Sequence, residues 1–225
     1  MTTPKIYGTA GSRAIRSIWM AEELAAELGF DYELVQTYFA TETKNSTYRE
    51  INPNGRVPAL VDGDLRLFES MAINLYLAKQ HPESTLAPRD AAEEALATQW
   101  SIWALTEMED ALITVIARHP NIALFPPDPE REAEALATLE RPLKVLDRHL
   151  ADREFLVADR FMIADLNVAA QMALMNFVQF DLSPYPNVQE WVTRAWARPA
   201  LAAAKGKYGR HRGVGGLGPL KTKPD

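Results

Sequence analysis

An α/β domain followed by an all-helical domain is the architecture this chain predicts, on three observations. Strand-like and helix-like segments alternate over the first eighty residues, a proline-containing stretch at 81–90 interrupts them, and from Ala91 the apolar spacing is helical with no convincing strand. Ile6-Tyr7-Gly8 reads as a short strand. Ser12 to Leu28 sets Ile15, Ile18, Trp19, Leu24 and Leu28 at helical spacing, with Gly29 as a C-terminal stop. Tyr32 to Val35 alternates as a strand does, and Thr41 to Glu50 is irregular or helical. Ala59-Leu60-Val61 begins an apolar strand, Asp62-Gly63 turns it, Leu65-Arg66-Leu67-Phe68 returns, and Ser70 reads as N-cap of a helix from Met71 to about Lys79. The order over residues 1–80 is therefore β-α-β-α-β-β-α.

His81 to Asp90, holding Pro82 and Pro88, reads as a linker. The second domain, 91–204, is read as a bundle of helices over Ala91–Arg118, Glu130–Leu150 with Pro142 as a place for a kink, Ile163–Val178 and Val188–Trp196. Residues 205–225 carry six Lys/Arg, one acid and six glycines, the composition of a flexible basic tail.

A chain of 225 residues with 47% hydrophobic content buries a sizeable core. No apolar run approaches the roughly 20 residues that span a bilayer, and Met1 to Gly11 lacks the basic-then-apolar layout of a signal peptide, so the cytoplasm is the expected compartment. The absence of cysteine excludes disulfides, thiolate metal sites and every mechanism with a cysteine nucleophile. A net charge of −6 argues against a nucleic-acid footprint, although the tail is basic at +5 and the remainder carries −11. His119 and His149 are isolated, no group has metal-ligand spacing, and the glycines of 206–218 lack the preceding strand and Lys-Ser/Thr of a phosphate loop. No metal is expected.

The most informative stretch is Asn52-Pro53-Asn54-Gly55-Arg56-Val57-Pro58-Ala59-Leu60, followed after one hairpin by Glu69-Ser70. Pro58 lacks an N–H and is tolerable only at the entry of its strand, where a cis bond is a realistic option. Val57 then stands at a free strand edge, able to offer its N–H and C=O to an extended peptide. A helix N-terminus with the Ser70 hydroxyl suits a carboxylate, and Glu69 supplies an acceptor for an ammonium group. Together they can hold the amino-acid head of a γ-glutamyl peptide.

Asn-Pro-x-Gly-x-Val-Pro-Ala-Leu, then Asp-Gly-Asp and Phe-Glu-Ser, closely resembles the soluble glutathione S-transferases, especially their serine-type phi and theta classes, and the resemblance runs from Lys5 to about Ala204. It implies a thioredoxin-like first domain that binds glutathione as co-substrate. It implies further that Pro58 is cis, that Val57 bonds the cysteinyl backbone, and that Glu69 and Ser70 hold the γ-glutamyl head. Lys44, thirteen residues before Val57, matches the phi-class lysine that meets the glycyl carboxylate, and Arg56 stands where a glutamine is usual; Thr43 replaces the expected histidine. A solvated surface charge is as good a reading of either cation. A homodimer is implied, with the first domain of one subunit packed on the Ala91–Arg118 helix of the other.

Glutathione chemistry needs the thiol ionised, against an ordinary thiol pKa of about 8.5. Ser12, at the turn between the first strand and first helix, can donate to sulfur at the positive end of the helix dipole. Aligning Tyr7-Gly8-x-x-x-Ser12 with the serine-type classes makes Ser12 the expected catalytic residue. By itself it would be read as a helix N-cap; Tyr7 and Thr9 are the rivals. Arg13 is a candidate to approach the thiolate, and Arg16 reads as a structural ion-pair residue. The second substrate is expected between the domains, near Trp100, Trp103, Thr106, Glu107 and Asp110, although such aromatics are more often core. The expected activity is addition of glutathione to small apolar electrophiles, with peroxide reduction, dehalogenation or isomerisation as related chemistries. The maleylacetoacetate isomerase branch fits less well, since its Ser-Ser-Cys signature is absent. The alternative is a non-catalytic binding or regulatory protein on the same scaffold.

Overall fold

The protein is described from a computed structural model covering residues 3–207, apart from 40, 120–124, 174 and 176–179. Its elements in chain order are β1 (Lys5–Gly8), α1 (Ile15–Leu28), β2 (Glu33–Gln36), a 3-10 turn (Glu42–Lys44), α2 (Ser46–Ile51), β3 (Ala59–Asp62), β4 (Leu65–Phe68) and α3 (Ser70–Gln80). They continue with α4 (Ala91–Arg118), α5 (Pro129–His149), α6 (Ile163–Met172), α7 (Pro186–Trp196) and α8 (Pro199–Gly206). The chain divides into two compact units, 1–77 with 199–225 and 78–198.

In the first unit the sheet order is β2-β1-β3-β4, with β1 parallel to β2 and antiparallel to β3, and β3 antiparallel to β4. A parallel neighbour requires a crossover, and α1 provides it. Gly29 ends that helix at φ 71°, its N–H reaching the carbonyl of Ala25, a left-handed stop that only glycine adopts without cost. The β3–β4 hairpin pairs Asp62 with Leu65, which places Gly63, at φ 57°, in the first central position of a two-residue turn. Ile6, Ile18, Trp19, Leu60, Ile73 and Leu77 form the buried interior.

The apolar spacing predicts one buried face for α1, yet Ile15 through Ala21 are buried all round. The reason is α8, which packs on α1 through the fully buried Leu201 and Ala204. Residues 205–207, read as the root of a flexible tail, thus belong to ordered structure. Lys207 pairs with Glu22 at 2.7 Å, its ammonium lies 4.6 Å over the Tyr32 ring, and its carbonyl accepts from Gln36. The rest of the predicted tail lies outside the described residues.

In the second unit α4 runs over the predicted residues, started by Asp90, whose carboxylate accepts the Glu93 N–H at 2.8 Å. The helix α5 continues through Pro142 as one element. Pro186, at the start of α7, follows Tyr185, and the open N–H groups of Asn187 and Val188 are met by Asp147 from α5 at 2.8 and 3.2 Å. The stretch expected to be a linker is packed: Leu86 and Ala87 are buried, and Arg160 donates to the carbonyls of Thr85 and Ala87 and to the Glu93 carboxylate. That guanidinium holds the Glu93 carboxyl down at about 2.

Every residue of α6 from Ile163 to Met172 is buried. Its start is held by Asp165, whose Oδ2 accepts the Met162 N–H at 3.2 Å, with the Met162 thioether where serine or threonine would place an oxygen. Read from sequence alone, Met162→Thr completes this cap and stabilises. Met162 is, however, 0% exposed. Its truncation leaves a cavity costing about 2–5 kcal/mol by analogy with Met→Ala, more than the about 0.5–2 kcal/mol of a cap. Met162→Thr is therefore expected to lower the denaturation midpoint, which a urea melt reads directly.

Candidate functional site

The predicted peptide edge is built from its supports upward. Within the first unit the β1–β3 ladder ends at Tyr7 and Ala59, so Val57 and Pro58 project past the last paired residues, joined by a cis peptide bond. The carbonyl of Arg56, just before Val57, accepts from the Tyr48 hydroxyl at 2.6 Å and from Asn52 Nδ2 at 2.7 Å. Asn52 is buried, and its Oδ1 in turn accepts from the Asn54 N–H at 3.1 Å. Tyr48 packs with Val57 and Ala59 and meets the Tyr7 ring edge-on at 6.1 Å. Burial pushes the Tyr48 phenol up to about 12, so it stays a neutral donor at physiological pH. The edge is rigid because a carbonyl held by two side chains cannot swing away.

Tyr48 and Asn52 are supports that no sequence pattern marks. Asn52 opens the Asn52-Pro53-Asn54-Gly55-Arg56 stretch, four residues before Arg56, but only the fold turns that spacing into a hydrogen bond. Gly55 completes the turn at φ 60°, where an added Cβ would meet the Thr43 carbonyl at 3.0 Å. Lys44 and Arg56 therefore branch from adjoining backbone. Both are exposed, and the Lys44 ammonium stands 5.7 Å from the Phe39 ring centroid. Thr43, in place of histidine, is fully buried and donates to the Phe39 carbonyl.

The Ser12 corner follows β1. The Ser12 hydroxyl donates to the Thr9 carbonyl at 2.8 Å and accepts the Ala14 N–H at 3.2 Å, so it closes the turn ahead of α1, whose N-cap position is Ala14. Arg13 lies in the same turn, partly exposed. Gly8 lets this turn approach the edge: a Cβ built there would fall 2.3 Å from Ala14 Cβ and 3.5 Å from Val57 Cβ, at a φ of 148°. Gly8→Ala is expected to cost at least about 2 kcal/mol through the clash and the glycine-only backbone. The same clash displaces Ser12 from Val57, so ligand binding in the folded fraction, measured beside a denaturant melt, should weaken as well.

The third corner is α3. The helix starts at Ser70, one residue earlier than predicted, and the Glu69 carbonyl accepts the Ile73 N–H at 3.0 Å, which puts Glu69 rather than Ser70 at the N-cap position. Glu69 has φ 71°, the one left-handed non-glycine residue among those described. Such a backbone costs on the order of 1 kcal/mol and clusters at ligand sites. Ser70 is buried and its Oγ accepts from Arg16 Nη1 at 3.3 Å. Arg16, read from sequence as an ion-pair residue, thus contacts a predicted ligand residue.

The residues expected to meet a second substrate lie on α4 in the other unit. Trp103 meets Trp100 edge-on at 5.0 Å, Thr106 donates back to the Ile102 carbonyl at 3.2 Å, and Glu107 pairs with Arg141 of α5. Each has a partner within its own unit. No group of side chains suited to a metal is found among the described residues, and no helix there is long and apolar enough to cross a membrane.

Residues 5–79 match the family model of the glutathione S-transferase N-terminal domain and residues 128–194 that of the C-terminal domain, together more than half of the chain. A probable glutathione S-transferase of Oryza sativa subsp. japonica is 31% identical over 89% of this chain and 94% of its own length. Among solved structures, a glutathione S-transferase-I bound with lactoylglutathione superposes with a TM-score of 0.78 at 30% identity, covering 91% of this chain and 99% of that one. A theta class enzyme from Xanthomonas axonopodis pv. citri with glutathione bound gives 0.78 at 29% identity, over 91% and 97%. With a four-stranded mixed sheet and its helices ahead of an all-helical unit, and both family models matched in order, the chain belongs to the glutathione S-transferase family.

Proposed function

We propose that the chain is a glutathione transferase that binds glutathione along Val57, ionises its thiol at Ser12 and directs the thiolate to small apolar electrophiles. The carrying observation is the held edge: the Arg56 carbonyl is fixed by Tyr48 and Asn52 while Val57 lies beyond the β1–β3 ladder, presented to an extended peptide. In this reading Val57 pairs with the cysteinyl backbone, Pro58 shapes the edge, Glu69 accepts from the γ-glutamyl ammonium and Ser70 meets its carboxylate. Lys44 and Arg56, branching from adjoining backbone, meet the glycyl carboxylate. Arg13 raises the potential around the thiolate. The glutathione and lactoylglutathione seen in relatives of the same fold support this ligand.

The chemistry asks little of the protein beyond position and one donor. A thiol loses its proton, the thiolate attacks an electrophilic carbon, and the leaving group or enolate takes up a proton afterwards. A Ser12 hydroxyl that turns its proton from Thr9 toward sulfur stabilises the anion, and the α1 N-terminus adds to this. One observation favours a second reading, binding without turnover: the Ser12 proton is already engaged by the Thr9 carbonyl at 2.8 Å.

Calorimetric titration with glutathione, followed by turnover against a panel of electrophiles, decides between them. Binding with turnover is the expected result; binding without turnover supports a ligand-carrying protein, and no binding supports a scaffold role. A homodimer is part of the proposal, and sedimentation reading a single chain mass at micromolar concentration would remove it.

A further inference from the structure

We infer that Arg16 is a positioning residue for the γ-glutamyl carboxylate, acting through Ser70; this rests on the glutathione reading above. Arg16 sits on α1 and is 3% exposed, so the hydrogen bonds its guanidinium makes are formed away from water and hold their geometry strongly. Its Nη1 donates to Ser70 Oγ at 3.3 Å. In return Asn74, one turn beyond Ser70 on α3 and fully buried, donates its Nδ2 to the Arg16 carbonyl at 3.2 Å. Two bonds running in opposite directions therefore register α1 against α3 at the corner where Glu69 is left-handed.

The consequence for Ser70 is one of proton direction. A hydroxyl carries one proton and two acceptor lone pairs, and a guanidinium can only donate. With Arg16 occupying a lone pair, Ser70 turns its proton toward another acceptor. That proton joins the open N–H groups at the start of α3, with a buried positive charge directly behind, so the corner is arranged for an anion. Glu69 beside it accepts, which fits a ligand head bearing a carboxylate and an ammonium on one carbon. Arg16 does not touch that carboxylate; it orients Ser70 and supplies charge from a place that salt screens weakly.

The test compares glutathione with its analogue lacking the γ-glutamyl carboxylate, 4-aminobutyryl-cysteinyl-glycine, in the wild-type chain, Arg16→Lys and Arg16→Gln. The expected preference for glutathione over the analogue falls about ten-fold or more in Arg16→Gln and partway in Arg16→Lys, while the analogue binds all three alike. Equal weakening of both ligands in Arg16→Gln would mean that the arginine only holds the fold, and it overturns the inference. If Arg16→Gln does not fold, Arg16→Lys carries the test: an unchanged preference there also overturns it. Wild-type protein that binds neither ligand instead removes the glutathione reading itself, so the two failures are separable.

Discussion

Ser12→Ala is expected to lower turnover about ten-fold while glutathione affinity stays within a few fold. The Ser12 oxygen is fixed by the Ala14 N–H at 3.2 Å, and only its proton, now on the Thr9 carbonyl, needs to rotate to reach sulfur. A bond to a charged acceptor contributes about 1.5–3 kcal/mol, against about 1 kcal/mol for the bond given up, leaving about 0.5–2 kcal/mol for the thiolate. At about 1.36 kcal/mol per unit this is about one unit of thiol pKa, and a comparable loss in rate. Ultraviolet titration of the bound thiolate measures it. An unchanged thiol pKa in Ser12→Ala moves the role elsewhere, to Thr9 before Tyr7, because the Tyr7 ring is already packed against Tyr48.

Asp165→Ala is expected to be the most destabilising single change in the second unit, with chemistry affected only through the loss of folded protein. One carboxylate serves three donors: the Leu156 N–H at 2.9 Å, Trp191 Nε1 at 2.9 Å and the Met162 N–H at 3.2 Å. Asp165 is 0% exposed, so no water replaces it. Three buried donors without acceptors, at about 1–3 kcal/mol each, cost about 3–9 kcal/mol, a large part of the about 5–15 kcal/mol that holds a domain together. A folded but inactive Asp165→Ala would instead place this residue in the active site.

The same carboxyl predicts a pH dependence. Burial outweighs the hydrogen bonds to the carboxylate and raises Asp165 from 3.8 to about 6. Because the folded state holds this proton more tightly than the unfolded chain, the group's contribution is most favourable below about 4 and is lost as pH rises to about 6. At about 1.36 kcal/mol per unit, the change is about 3 kcal/mol. Denaturant melts of wild type and Asp165→Asn between these limits should differ in slope, the asparagine variant lacking this component.

The element order and the strand edge at Val57 were legible in the chain itself, since both rest on local physics. Gly29 and Gly63 are turn glycines, Asp90 is a cap, Pro58 can only enter a strand, and α4 follows its apolar spacing from Ala91 to Arg118. Other features depend on residues far apart meeting. That α1 is covered on its second face, that Arg16 reaches Ser70 across 54 positions, and that Met162 is core before it is a cap were all decided by tertiary packing. The supports of the edge are the intermediate case: Tyr48 and Asn52 are close to Arg56 in sequence, but only the return of the chain at Gly55 aims both at one carbonyl. Sequence carries local conformational preference and apolar period; which polar atom faces which is settled when distant segments share one interior, where an unmet donor is too costly to leave.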